Sequence, residues 1–193
     1  MQAGTQRGLA TVHYIFDKTA SRFTVQAFAT GLLSSFGHNP TIAIREYEGG
    51  VQFVPNTYEQ ASVQLRLKTG TLEVLDEIKR DDLEKLESKM YGDVLDTAHC
   101  PEAVFESRQI TVQLLGSRLL NARVTGDLTL RGVTQSHSFE ARVRDMDSML
   151  RISGDFTLRQ SDYGIKPVSF AAGALRLKDE LKFNFEMVAR RRE

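Results

Sequence analysis

The sequence predicts an all-β fold: an antiparallel up-and-down barrel of about eight strands with one covering α-helix. Two observations carry that expectation. First, Gly126-Asp-Leu-Thr-Leu-Arg131 is echoed by Gly154-Asp-Phe-Thr-Leu-Arg159, and both copies alternate apolar and polar residues. Val124, Leu128 and Leu130 share one face of the first copy, and Ile152, Phe156 and Leu158 share one face of the second. A period of two is that of a strand buried on one side only, and a glycine at the same place in each copy marks a bend or bulge in a curving sheet. Second, many short alternating runs follow one another at regular spacing around a single helical segment, and hairpin-linked neighbours favour an up-and-down order.

In order, His13–Phe16 opens the first strand and Asp17–Ser21 closes it. Phe23, Val25, Ala27 and Ala29 alternate along the second. Gly31–Pro40 reads as a loop, Ile42 and Ile44 start a strand, and Gly49-Gly50 reads as a hairpin turn before Val51 and Phe53. Ala61, Val63, Leu65 and Leu67 give the cleanest alternation of the first half. Asp81 with Glu84 three residues on resembles a capping box, and Leu83, Leu86, Met90 and Val94 form one stripe at helical spacing. A helix is therefore expected from Asp81 to Leu95, packed on one end or flank of the sheet. Beyond Pro101 the strands resume with Val104–Glu106, Ile110–Leu114, Leu120–Leu130, Phe139–Val143, Ile152–Leu158, Leu175–Leu177 and Leu181–Met187. Their turns fall at Gly116-Ser117, Gly132, Asp145–Ser148, Ser161–Ile165 and Asp179.

A chain of 193 residues fits one domain over 1–193, with its core at about 10–190. Lys plus Arg equals Asp plus Glu at 25 each, so no basic face for nucleic acid is expected. The basic tail Arg190–Arg192 reads as solvated. One cysteine, Cys100, allows no internal disulfide. The polar Met1–Gly8 segment lacks the apolar core of a signal peptide, and no run reaches the length of a membrane span. The expectation is a soluble, cytoplasmic protein.

The residues expected to face the lumen are Phe23, Val25, Ala27, Ile42, Ile44, Phe53, Val63, Leu65, Val124, Leu128, Leu130, Phe139, Phe156, Leu158, Phe183 and Phe185. By alternation alone they fill a dry core as readily as they line a ligand site. Phe36 and His38 stand in a Phe-Gly-His-Asn-Pro loop, where His38 either bonds local backbone or meets a ligand oxygen. Asn39 and Ser161 are further loop groups for a headgroup. His13, His99 and His137 show no metal-ligand spacing, so no metal site is expected. His99 and Cys100 are chain neighbours in an extended segment, which turns them to opposite faces rather than into a dyad. Asp127, Asp155 and Asp162 are read as caps of turn amides, and Arg131 and Arg159 as outward cross-strand charge pairs. No phosphate loop, nucleophile elbow or catalytic residue is recognised, so the protein is expected not to be an enzyme.

Three blocks resemble the YceI-like family of lipocalin-like barrels: Asp17–Ala27, with its alternating strand Ser21–Ala27; Asp93–Ser107 with its aspartate, proline and phenylalanine-x-serine; and Gly126–Thr134 followed by Gly154–Ile165. Gln160 departs from the family's direct arginine-serine step, and Ser136, His137 and Ser138 stand where its residues are more apolar. The resemblance implies binding, sequestration or transport of a polyisoprenoid, isoprenoid quinone or fatty-acid-like lipid in the barrel, with no separate cofactor. It also implies export for many members. The expected partner is a hydrophobic small molecule, with a homodimer left open. A lipid-modifying isomerase or cyclase in the same cavity and a filled-core module are the alternatives.

Overall fold

The structure, a computed structural model, describes residues 10–30, 39–170 and 175–192. The first alternating segments become β1 (Val12–Phe16), β2 (Arg22–Gln26), β3 (Ala29–Thr30), β4 (Thr41–Ile44), β5 (Tyr47–Phe53), β6 (Ser62–Lys68) and β7 (Leu72–Val74). After the helix α1 (Arg80–Lys89) come four long strands: β8 (Glu102–Gly116), β9 (Leu119–Leu130), β10 (Val133–Asp145) and β11 (Met149–Arg159). Short β12 (Ser169–Phe170) and β13 (Leu175–Leu177) join β3 in a small separate sheet, and β14 (Glu180–Arg191) ends the fold.

Antiparallel pairing runs β1-β5-β6-β8-β9-β10-β11-β14 and returns to β1, which closes an eight-stranded barrel. The long β14 makes the closure. One edge of it pairs with β11, while the other is shared by β1 at Ala189–Arg191 and β2 at Lys182–Glu186. From β2, the pairing continues through β4 to β7 as a flap on the ring.

The repeated glycines stand where the barrel wall is irregular. Opposite Gly126, β8 carries a bulge between Ser107 and Gln109. That extra residue switches the inward set of β8 from Ala103 and Phe105 to Ile110 and Val112, which is why the segment reads as two strands in sequence. A Cβ on Gly126 would lie 2.4 Å from the Glu106 carbonyl oxygen and 2.7 Å from Phe105 Cζ. Gly154 marks a second irregularity. The β10–β11 ladder runs from Asp145/Leu150 to Ala141/Gly154 and stops there, although both strands continue. A Cβ on Gly154 would lie 2.6 Å from the Glu140 carbonyl oxygen and 2.6 Å from Phe185 Cζ.

The helix ends differently from the sequence reading. α1 starts after Lys79 with no side-chain cap, and Glu84 accepts from Arg80 Nε at 2.9 Å instead of closing a capping box. The segment continues as one π turn, Met90–Val94, and burial along the expected stripe is concentrated at Met90. The Tyr91 hydroxyl donates to the Leu72 carbonyl, and Arg131 Nη1 donates to the Asp93 carbonyl at 2.9 Å. These bonds hold the helical segment between β7 and the β9–β10 turn. Among the described residues no helix is long and apolar enough to cross a membrane.

Three further expectations are corrected. Gly49-Gly50 lies inside β5, between β1 and β6, and makes no turn. A Cβ on either glycine would stand 2.0 Å from a carbonyl oxygen of a neighbouring strand, at Gln64 and Tyr14 respectively, so the pair serves close backbone approach. Asp127 caps no turn: it accepts from Arg108 Nε at 2.6 Å on the outer face, and Asp155 faces Lys182 Nζ at 3.7 Å. Arg131 takes a left-handed turn conformation (φ 53°) and serves the helix end, while Arg159 stands opposite Glu180 in register without an ion pair among the described residues.

Gly126→Ala should lower stability by about 1–3 kcal/mol, because the new methyl meets backbone that cannot swing away. Urea unfolding should show a lower midpoint at unchanged slope. An unchanged midpoint would show that the bulge relaxes freely.

Candidate functional site: an apolar cavity with one histidine

The inward side chains leave a cavity of about 160 Å³ within the barrel. All eight barrel strands contribute to its wall, from Phe16 of β1 to Met187 of β14. Aromatic rings fill much of the lumen. Phe139 and Phe156 stack at 5.2 Å between ring centres, Phe156 and Phe183 at 4.7 Å, and Phe105 meets Phe139 at 5.6 Å. The Phe139–Phe156 stack spans the stretch where β10 and β11 no longer exchange backbone bonds.

Among the described residues that line the cavity none is charged; Tyr58 and His137 carry its polar groups. The Tyr58 hydroxyl is 3.1 Å from the Asp145 carboxylate, to which it donates. Burial, reinforced by that bond, pushes its pKa up to about 12. His137 is half-buried on β10, opposite Gly126 of β9. Its Nε2 is 2.6 Å from the hydroxyl of Tyr163, whose ring lies parallel to the imidazole at 6.0 Å and 7°. Tyr163 belongs to the 3₁₀ turn Gln160–Tyr163, which packs beside the open stretch of the β10–β11 wall. Gln135 Nε2 secures this turn by donating to the Asp162 carbonyl at 2.9 Å.

Burial depresses the His137 pKa below its ordinary 6.5, with Asp162 opposing, and burial lifts Tyr163 to about 12 with help from Asp162. Both groups are therefore neutral near pH 7.

Of the residues singled out in the sequence, Phe23, Phe53, Val63, Leu65, Val124, Leu128, Phe139, Phe156, Phe183 and Phe185 line this cavity. Six others do not. Val25, Ile42 and Ile44 pack with Phe23 and Tyr47 in the core beneath the β2–β4–β7 flap, and Ala27 is buried just beyond β2. Leu130 and Leu158 pack with Tyr163, Ile165 and Val94 under the 3₁₀ turn and the helix end. Phe36 and His38 lie outside the described residues. Asn39 Oδ1 accepts from the Ala29 amide, and Ser161 donates twice to Asp179, so each serves its own loop.

The lining residues not anticipated include Val51, Tyr58, Phe105, Ala122, Ile152, Met187 and above all His137. Its signal was present: His137, Phe139, Ala141 and Val143 continue one period-two series. A polar residue in that series is easily mistaken for a break in it.

The family model of the YceI-like domain matches residues 14–189. The chain belongs to the YceI-like family. It is 32% identical over 159 residues to a UPF0312 protein of Pseudomonas savastanoi pv. phaseolicola, an alignment covering 79% of this chain and 76% of that protein. It is also similar in fold to BcnA of Burkholderia cenocepacia, with a TM-score of 0.69, 18% identity and coverage of 90% of this chain and 98% of that one. A polyisoprenoid binding domain from Saccharophagus degradans, implicated in plant cell wall breakdown, gives a TM-score of 0.66 at 15% identity, covering 95% of this YceI-like chain and 99% of its own.

The depressed His137 pKa predicts a pH dependence of stability. As pH falls below 6.5, the unfolded chain takes up a proton that the folded chain resists, so folding weakens until the folded pKa is reached. The stabilisation is complete above 6.5 and is lost on acidification. His137→Gln should flatten this slope when melting midpoints of the two proteins are compared between pH 7.5 and 5. Parallel profiles would count against a buried neutral imidazole.

Proposed function

We propose that this YceI-like protein binds the hydrocarbon chain of an isoprenoid or acyl lipid in its barrel, as a carrier or store. The observation that carries the reading is the composition of the cavity wall: apolar side chains from all eight strands, with no charged residue among those described. Such a wall recognises a chain by desolvation, at about 0.8 kcal/mol for each methylene removed from water. The fold shared with a polyisoprenoid binding domain supports the same ligand class.

The size of the cavity sets a condition. At about 160 Å³ it matches the space that holds one benzene-sized molecule, below the ~300–1,000 Å³ of pockets for drug-sized ligands. A long chain is admitted only if the Phe139–Phe156–Phe183 stack turns aside. The open stretch of the β10–β11 wall supports that movement, because side-chain stacking there takes the place of a backbone ladder.

Native mass spectrometry of the purified protein, followed by solvent extraction, should reveal a co-purifying prenyl or acyl lipid. Ala122→Phe, which places a ring in the cavity, should reduce lipid occupancy at least tenfold (roughly 1.4 kcal/mol) while the barrel still folds. A lipid-free protein that also refuses added prenyl chains would overturn the proposal, as would full occupancy in the folded variant.

A further inference from the structure

We propose that the His137–Tyr163 pair is a polar anchor in the lumen, through which His137 donates its Nδ1–H to an uncharged carbonyl oxygen on the bound chain. This rests on the lumen being the hydrocarbon site. It adds which oxygen chemistry that site selects.

The proton arrangement follows from burial. Tyr163 is 1% exposed, and among the described residues the only hydrogen-bond partner of its hydroxyl is His137 Nε2 at 2.6 Å. Were Nε2 the donor, the tyrosine proton would be stranded among Leu158, Ile165 and Phe156. A buried donor without an acceptor is the costlier choice. With the hydroxyl donating, Nε2 accepts and the single proton of the neutral imidazole sits on Nδ1. That nitrogen has no hydrogen-bond partner among the described residues, while its ring forms part of the cavity wall. Tyr58, the other polar lining residue, already spends its hydroxyl on Asp145. Among the described lining residues, His137 is therefore the one donor with spare capacity.

The charge of the acceptor follows from the rest of the wall. A carboxylate or phosphate drawn to His137 would sit among phenylalanines and aliphatic side chains with no Lys or Arg on the described wall to neutralise it. A ketone, ester or amide oxygen takes the Nδ1–H without carrying charge into the lumen. Gly126 is the ladder partner of His137 across β9 and β10, and a side chain there would meet Phe105 Cζ and the Glu106 carbonyl oxygen.

The test compares three probes of equal carbon count on the full chain by titration calorimetry at pH 7.5: a prenyl methyl ketone, the corresponding prenyl hydrocarbon and the corresponding prenyl carboxylic acid. The ketone should bind about three- to tenfold tighter than the hydrocarbon, the range expected of one neutral hydrogen bond. The acid should bind most weakly. In His137→Leu the ketone-to-hydrocarbon ratio should fall to near one, and His137→Asn, which keeps an amide donor, should restore part of it. Equal binding of ketone and hydrocarbon by the natural protein, or a preference that survives His137→Leu, would overturn the anchor and leave the lumen reading standing. Binding of none of the three would overturn both. Nitrogen-15 imidazole spectra of the unliganded protein add a readout independent of any variant: the proton belongs on Nδ1 of His137, and finding it on Nε2 would refute the assignment.

Discussion

Closure through β14 is the constraint on which the molecule depends. One edge of this strand is paired with β11 over its length, and the other is divided between β1 and β2. Without the β1–β14 ladder the chain would form an open sheet with exposed edges. With it, the backbone bonds of eight strands close on themselves and their inward side chains must share one lumen. The flap of β2, β4 and β7 follows from the same division, because once β2 occupies the second half of the edge its further neighbours can only extend outside the ring.

Closure also explains the irregularities. Gly126 and Gly154 each sit where a Cβ would meet a neighbouring carbonyl and an aromatic ring, and each coincides with a break in regular pairing. At the first, the bulge keeps the inward pattern of β8 in phase with β9. At the second, β10 and β11 part, and the Phe139–Phe156 stack and the Tyr163 turn take over the contact. Stacked aromatic pairs contribute roughly 0.5–1.5 kcal/mol beyond the area they bury. The weakest stretch of wall is thus also where His137 has room.

The lumen combines two demands that pull against each other. Stability favours filling it with phenylalanine, and binding favours leaving it open. Rings packed at 4.7 to 5.6 Å between centres fill part of the lumen and leave a cavity of about 160 Å³ beside them. Outer-face pairs such as Arg108–Asp127 and Arg123–Glu140 keep the charge out of this interior and contribute little stability individually.

By itself, the sequence determined most of the strands and turns, the helical segment and much of the inward set, because period-two alternation is a local consequence of putting one face in a core. The paired glycines and the family motifs were equally legible. Tertiary structure alone decided which inward residues line the cavity and which only pack. Val25, Ile42 and Ile44 alternate as cleanly as Val63 and Leu65, but β2 and β4 leave the ring, and nothing local records that departure. Gly49-Gly50 reads as a turn because glycine is used both for turns and for close backbone approach, and only the neighbouring strands distinguish the two. The role of His137 depends on Tyr163, 26 residues away in the chain, so the hydrogen bond that sets its proton exists only after the barrel has closed.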